Sequence, residues 1–423
     1  MQPDPQLIRA LYERYLSQKS AEVFTSNLAP LRAEEMCVLD LNNVVGRSAY
    51  AHDYIHQNHL GLVLLAGGIG SRLGADTPKG CVGVTPVRKK SLFQVHFEKI
   101  NVLRKIYDVA IRVYLMTSTP LIEETEGFLR QHDYFGFPPE NLFIFTQHEM
   151  PAICPEDGSC CWSAPGQIYF GPDGHGGLIS ALHSSGAFRD MERCGIETLQ
   201  TFHVDNPLVP LMNEEFLAFH LQKRSEMSSV VIEKQTALEA VGNVVRDGEQ
   251  LRVIEYMDFP REIAELMDSE GRLLYHAGSI GVHLIDVAFL KRMAGRVKAD
   301  PEFLPYHLPV KKISTTEGPK WAIKPERFIF DILPHAQNPV VARVAREDAF
   351  ATLKAEVPPV QEHLTRLYTA WLRRCGALDD NFTPSCVEIA PDAALDETTL
   401  LSKLRGARFF EPNLYIDEES LVG

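Results

Sequence analysis

An α/β fold built on a doubly wound, Rossmann-like mixed sheet is what this sequence predicts, and three observations carry the prediction. Leu60–Leu65 is a short apolar run stopped by Gly67 and Gly68, the pattern of a parallel strand buried on both faces. Ser91 can cap a helix that carries Phe93, Phe97, Ile100 and Leu103 on one face. Residues 110–116 then form a second apolar run. Strand, helix and strand in that order make a βαβ unit.

The remaining elements follow in order. Leu7, Leu11 and Tyr15 at intervals of four, with further apolar positions between Val23 and Leu41, predict a helical N-terminal piece over residues 1–58. The α/β alternation continues through strands at 142–145, 199–204 and 229–232, with helices after Gly177 and from Asn213. Asp247-Gly248, between apolar runs at 241–245 and 251–256, predicts an antiparallel hairpin that could wall a pocket. Pro358-Pro359 marks the exit from a catalytic domain at 59–357 into a small C-terminal domain at 358–423.

Composition narrows the function classes. The 423 residues are 45% hydrophobic and 23% charged, as in an ordinary globular protein, with no apolar run long enough to span a bilayer. The N-terminus lacks the basic start and apolar centre of a secretory signal, so the expected compartment is the cytoplasm. Eight cysteines with no Cys-x-x-Cys spacing read as reduced thiols. A net charge of −14 argues against nucleic acid as a partner. Any anionic substrate must therefore meet a local positive site.

The most informative stretch is Leu65-Ala66-Gly67-Gly68-Ile69-Gly70-Ser71-Arg72-Leu73-Gly74, followed by Pro78-Lys79. Glycines directly after a strand let backbone N–H groups approach a phosphate chain, and Arg72 and Lys79 add fixed positive charge. The string lacks the Lys-Ser/Thr of a P-loop and the G-x-G-x-x-G of a dinucleotide fold, which disfavours an NAD-dependent oxidoreductase.

This string resembles the nucleotide loop of the UTP-dependent sugar-1-phosphate uridylyltransferases, particularly the eukaryotic-type UDP-N-acetylglucosamine pyrophosphorylases. Further segments match the family in order: Lys90-Ser91-Leu92-Phe93-Gln94, Thr146-Gln147-His148-Glu149, Asp173-Gly174-His175-Gly176-Gly177 and His203-Val204-Asp205-Asn206. Beyond these come Val253-Ile254-Glu255-Tyr256, His276-Ala277-Gly278-Ser279, Ile323-Lys324-Pro325-Glu326-Arg327 and Arg346-Glu347-Asp348, the last leading to Lys354. The resemblance covers about residues 59 to 355. It implies a nucleotidyltransferase domain of the GT-A-like kind, with UTP and a sugar 1-phosphate as substrates.

It also implies roles. Leu65, Ala66, Gly67, Gly68, Gln147, Gly174 and Asp205 would bind the nucleotide, Gln147 reading the uracil edge with an amide that both donates and accepts. Asp205 would hold Mg²⁺, or Mn²⁺ in its place, since these hard ions prefer oxygen ligands. Arg72 would meet the leaving pyrophosphate, Lys79 the α-phosphate, and Lys324 with Lys354 the sugar phosphate. His175, Gly242, Glu255 and Ser279 would meet the sugar. The acetylhexosamine enzymes carry Asn where His175 and Ser279 stand, and a His at the first position is typical of enzymes for UDP-glucose or a range of UDP-sugars. The expected acceptor is N-acetylglucosamine 1-phosphate, with glucose 1-phosphate the alternative. A decayed site serving as a UDP-sugar sensor would lack Arg72, Lys79 or Asp205, and all three are present.

No general base is needed for such a reaction. The acceptor phosphate, with a second pKa near ~6, is already largely dianionic at neutral pH. What must be overcome is repulsion between two polyanions, and fixed cations overcome it.

Overall fold

The structure is a computed structural model that describes residues 3–20, 27–42, 46–68, 77–379 and 381–421. Its centre is an eleven-stranded sheet. The main path runs Met36–Val38, Val340–Arg343, Met227–Glu233, Ala277–Asp286, Thr198–His203, Leu60–Leu65, Val113–Thr117 and Leu142–Thr146. Neighbours on this path are parallel except at Ala277–Asp286, which is antiparallel to both of its neighbours. On this path one reversed strand makes the sheet mixed.

Double winding explains why Leu60–Leu65 is apolar throughout. Leu60, Leu62 and Leu64 pack with Phe93, Phe97 and Ile100 of helix Leu92–Tyr107 on one face. Val63 and Leu65 pack with helices Leu178–Ser184 and Val287–Ala299 on the other. With both faces covered, neither set of alternating side chains can be polar. Ser91 caps its helix by accepting from the Gln94 N–H at 3.1 Å, and Asn213 caps helix Glu214–Gln222 through the Phe216 N–H at 2.8 Å. The Asp247-Gly248 hairpin forms as expected, joining Gly242–Asp247 to Gln250–Ile254 with Gly248 at φ +60°.

The N-terminal piece is not helical throughout. Helices occupy Pro5–Ser20 and Ala49–His56, but Leu28–Pro30 pairs with the hairpin strand Gly242–Asp247 and Met36–Val38 forms the sheet edge beside Val340–Arg343. Open sheet edges capture short segments whose own periodicity is too brief to announce a strand.

At the other end, helix Pro358–Arg374 starts at the proline pair, and Cys386–Ile389 pairs in parallel with Asn413–Ile416. Leu364, Trp371, Val387 and Leu414 belong to the same hydrophobic cluster as Phe93 and Phe97. The C-terminal residues are thus packed onto the sheet's helical layer. All eight cysteines are free thiols, and no described helix is long and apolar enough to cross a membrane.

Candidate active site

Parallel register sets His203 beside Leu65 at the C-terminal ends of adjacent strands. Strand order reverses at this seam: Val113–Thr117 lies on one side of Leu60–Leu65 and Thr198–His203 on the other. Loops leaving such a seam diverge and open a crevice, the usual nucleotide site of an open α/β sheet.

The glycine loop is tied down at both ends. Ala66 N–H donates to Met116 O at 2.8 Å, and Lys79 N–H donates to Gly68 O at 3.2 Å. Gly67 lies against Gln147, so that any Cβ there would fall on the Gln147 amide, while no described residue lies within 4 Å of a Cβ built on Gly68. Gln147 is 6% exposed and its own N–H donates to Thr117 O at 2.9 Å. Arg72 lies outside the described residues.

Across the seam, Lys79 Nζ reaches Asp205 Oδ2 at 3.2 Å. Asn206 brings the third charged group. Its amide donates to Ala349 O at 2.7 Å and accepts from Ala351 N–H at 3.2 Å, and Leu353 N–H donates to Asp205 O at 2.8 Å. These bonds carry Lys354 to the site, where its ammonium donates to Ala240 O at 2.7 Å. Burial lowers the Lys354 pKa, with Asp205, Glu239 and Glu255 opposing the shift.

Gly242 and Ser279 stand opposite each other where the hairpin joins strand Ala277–Asp286. Burial raises the Glu255 carboxyl to about 7, with Asp258 adding to the shift and His307, Lys354 and Lys311 opposing it. The space beside Gly242, expected to meet the sugar, is taken by protein: a Cβ there would lie 2.6 Å from Val253 Cγ1 and 3.6 Å from Glu255 Oε2. This glycine makes space for Val253.

Gly174 has φ +83°, and a Cβ would strike the backbone carbonyl of Arg327, so packing alone demands glycine there. His175 has more core to join than its two glycine neighbours imply. It lies 5.1 Å from the rings of both His203 and Phe328, and its Nδ1 accepts from Ile329 N–H at 3.1 Å. Burial holds its pKa well below the ordinary value, with nearby histidines adding to the effect. The ring is therefore neutral with the proton on Nε2, which leaves an N–H donor for a ligand. Lys324 packs along Gly171, its Nζ makes no hydrogen bond or ion pair among the described residues, and burial lowers its pKa.

Three groups near these residues escaped the sequence reading. The Asp173 carboxyl is buried with Oδ1 unpartnered, and burial raises its pKa to about 7 against the pull of Arg327. His203, inside a segment quoted for its aspartate, fills a bulge in strand Ala277–Asp286: Gly281 has φ +70°, and a Cβ on it would come within 2.5 Å of the His203 ring. His307 donates from Nδ1 to Asp258 and from Nε2 to Asp331, each at 3.0 Å. Burial opposes its charge, but the two carboxylates prevail and hold it up to about 9. Only folding pairs His307 with residues so distant in the chain.

No cluster of three or more His, Cys, Asp or Glu side chains suited to a metal occurs among the described residues. A hard cation would have Asp205 as its protein ligand and would complete its shell with phosphate oxygens and water. That donor set fits Mg²⁺, which keeps several waters and bridges substrate phosphates. Among the described residues the crevice thus combines the start of the glycine loop, a buried amide, two lysines around one aspartate and a half-buried wall of hydroxyl, imidazole and carboxyl groups. Such a set can hold two phosphorylated molecules close together and neutralise their charge.

The chain is similar to known proteins in both sequence and fold. Residues 6–357 match the family described as UTP–glucose-1-phosphate uridylyltransferase. The chain is 32% identical to UDP-N-acetylglucosamine diphosphorylase 2 of Arabidopsis thaliana, over 85% of this chain and 75% of the relative. It is 31% identical to UDP-N-acetylhexosamine pyrophosphorylase-like protein 1 of Homo sapiens, over 86% and 78%. In fold it is similar to the uridine diphosphate N-acetylglucosamine pyrophosphorylase of Trypanosoma brucei, with a TM-score of 0.80 at 22% identity, over 96% of this chain and 88% of that one.

Proposed function

The chain belongs to the UTP–glucose-1-phosphate uridylyltransferase family, and from that premise we propose N-acetylglucosamine 1-phosphate as its preferred acceptor, with glucose 1-phosphate accepted less well. The enzyme is a uridylyltransferase: it joins UTP to a sugar 1-phosphate and releases pyrophosphate and a UDP-sugar.

The observation that carries the site assignment is the meeting of Lys79, Asp205 and Lys354 at the seam of the sheet. An oxygen of the sugar phosphate attacks the α-phosphorus of UTP, the bond to the bridging oxygen breaks, and pyrophosphate leaves in line. Lys79 serves the α-phosphate and Lys324 with Lys354 the sugar phosphate, and Arg72, which lies outside the described residues, is assigned to the departing pyrophosphate by the family resemblance alone. Gln147 reads the uracil edge from behind Gly67. A magnesium ion held by Asp205 would supply further charge neutralisation between the phosphates. The lowered pKa values of Lys324 and Lys354 reflect burial without a full counter-charge, a situation that an incoming phosphate relieves.

The acceptor assignment is supported by the names of the relatives and by the segments around Asp205 and Lys324. The groups that would face the sugar are Ser279, Glu255 and the Nε2–H of His175. The test is pyrophosphate release from UTP with a panel of sugar 1-phosphates. A higher kcat/KM for glucose 1-phosphate than for the acetylated sugar would overturn the acceptor assignment, and no release with any sugar would overturn the site assignment.

A further inference from the structure

The hairpin that follows Lys79 is gripped at its tip by the C-terminal residues. Lys79 opens a short 3₁₀ turn, Lys79–Cys81, whose Gly80 lies flat on the Phe93 ring, leaving no space for a Cβ. From this turn the chain runs out and back over residues 82–92. Val82 N–H donates to Lys79 O at 3.2 Å, Leu92 N–H to Val82 O at 3.1 Å and Val84 N–H to Lys90 O at 2.8 Å. The tip, Val87 and Arg88, presents two N–H groups outward, and both donate to one oxygen of Glu388, Oε2, at 2.9 and 2.7 Å.

Glu388 lies on strand Cys386–Ile389 and is only 2% exposed. Its other oxygen, Oε1, is buried and has no partner. A carboxylate so buried is costly, and the hydrogen bonds that offset the cost are charge-assisted bonds to the hairpin tip. Nearby contacts share the grip: Gln361 Nε2 donates to Thr85 O at 3.1 Å, and the Arg88 guanidinium sits 4.3 Å from the centre of the Tyr415 ring.

We propose that Glu388 is a positioning residue for nucleotidyl transfer: by holding the tip of the 82–92 hairpin it fixes the turn that aims Lys79 at the crevice. The C-terminal residues thereby take a part in catalysis without touching substrate. A fixed charge stabilises a transition state only while it is held in place. Released, the tip exchanges its carboxylate for water, and the hairpin that leads out of the Lys79 turn loses its hold on the C-terminal strand.

The inference rests on the uridylyltransferase reading, which turnover by the unaltered chain tests separately. In the full-length protein, Glu388→Ala lowers kcat at least tenfold while KM for both substrates stays within about twofold. Amide hydrogen exchange in peptides covering 79–92 rises at least tenfold while strand Leu60–Leu65 exchanges as before. Glu388→Gln keeps an oxygen for both N–H groups and places its NH₂ at the unpartnered Oε1 position, so it retains kcat within about threefold. Glu388→Asp keeps the charge but withdraws it by one methylene. It follows Glu388→Ala in both measurements and serves if the alanine variant does not fold. Unchanged exchange at 79–92 in the variants would overturn the proposal. So would a uniform rise in exchange with parallel losses in kcat, KM and melting temperature, which would mark Glu388 as structural only.

Discussion

Lys79 Nζ and Asp205 Oδ2 stand 3.2 Å apart across the seam between two parallel strands, Asp205 just past the C-terminal end of Thr198–His203 and Lys79 at the far end of the loop that leaves Leu60–Leu65. The pair joins the two halves of the crevice. Lys79→Ala removes a charge acting mainly on the transition state, so kcat and kcat/KM both fall by about 10²-fold or more, with little change in KM. A pure KM effect in steady-state kinetics would contradict this. The losses from Lys79→Ala and Asp205→Ala are not additive in the double variant, because the two side chains are in contact.

We expect activity to depend on Mg²⁺ or Mn²⁺. Excess chelator abolishes turnover, and either ion restores it. Asp205→Ala abolishes activity while the melting temperature stays close to that of the parent chain. Full activity in chelator is the contrary result.

The Glu255 carboxyl, raised to about 7 by burial, titrates in the working range. Above that pH it is a carboxylate, which under the proposed assignment would accept from sugar hydroxyls, and below it is a neutral acid. KM for the sugar 1-phosphate therefore falls as pH rises from 6 to 8 in the native chain, whereas in Glu255→Gln the profile over that interval flattens. Because acceptor ionisation is common to both proteins, the difference between the two profiles reports Glu255.

The Asp173 carboxyl is held at about 7, against an ordinary value of 3.8. The folded state therefore binds the proton more tightly than the unfolded state does. Stability from this group is fully present below the ordinary value and is lost as pH rises through about 7, at up to about 1.4 kcal/mol per pH unit. Asp173→Asn is accordingly more stable than the parent at pH 8, and the advantage shrinks toward pH 4. Melting curves across that range check the sign.

For the acceptor, the comparison is kcat/KM with N-acetylglucosamine 1-phosphate and glucose 1-phosphate, in the native chain and in His175→Asn with Ser279→Asn. The expected result is a native preference for the acetylated sugar. The double change strengthens that preference, since each amide both donates and accepts, and one hydrogen bond gained or lost is worth roughly 1–3 kcal/mol. A native preference for glucose 1-phosphate, shifted toward the acetylated sugar by the double change, would assign the chain's specificity to those two positions.

Much of this architecture was legible in the residues. Leu60–Leu65, the Ser91 cap and the Asp247-Gly248 hairpin were each marked by local chemistry that tertiary packing had no reason to override. Met36–Val38 was not, because a three-residue strand is made by the edge that receives it. Among site residues, glycine was the ambiguous letter. Gly67 makes way for Gln147 and Gly242 for Val253, and sequence alone does not distinguish room for a ligand from room for a neighbour. His307 was illegible for another reason: its two carboxylate partners, Asp258 and Asp331, come from different parts of the chain.

The placement of Met36–Val38 beside Val340–Arg343 also bears on how the protein is made. On the ribosome the N-terminal residues emerge first, yet the strand that receives them emerges only after most of the sheet has been synthesised. Until then the edge strand has no native partner, and its unpaired backbone is a site for chaperones or for mispairing with another nascent chain. Closure of the sheet is a late event in biosynthesis, and a messenger truncated before residue 340 would yield a product that cannot complete it.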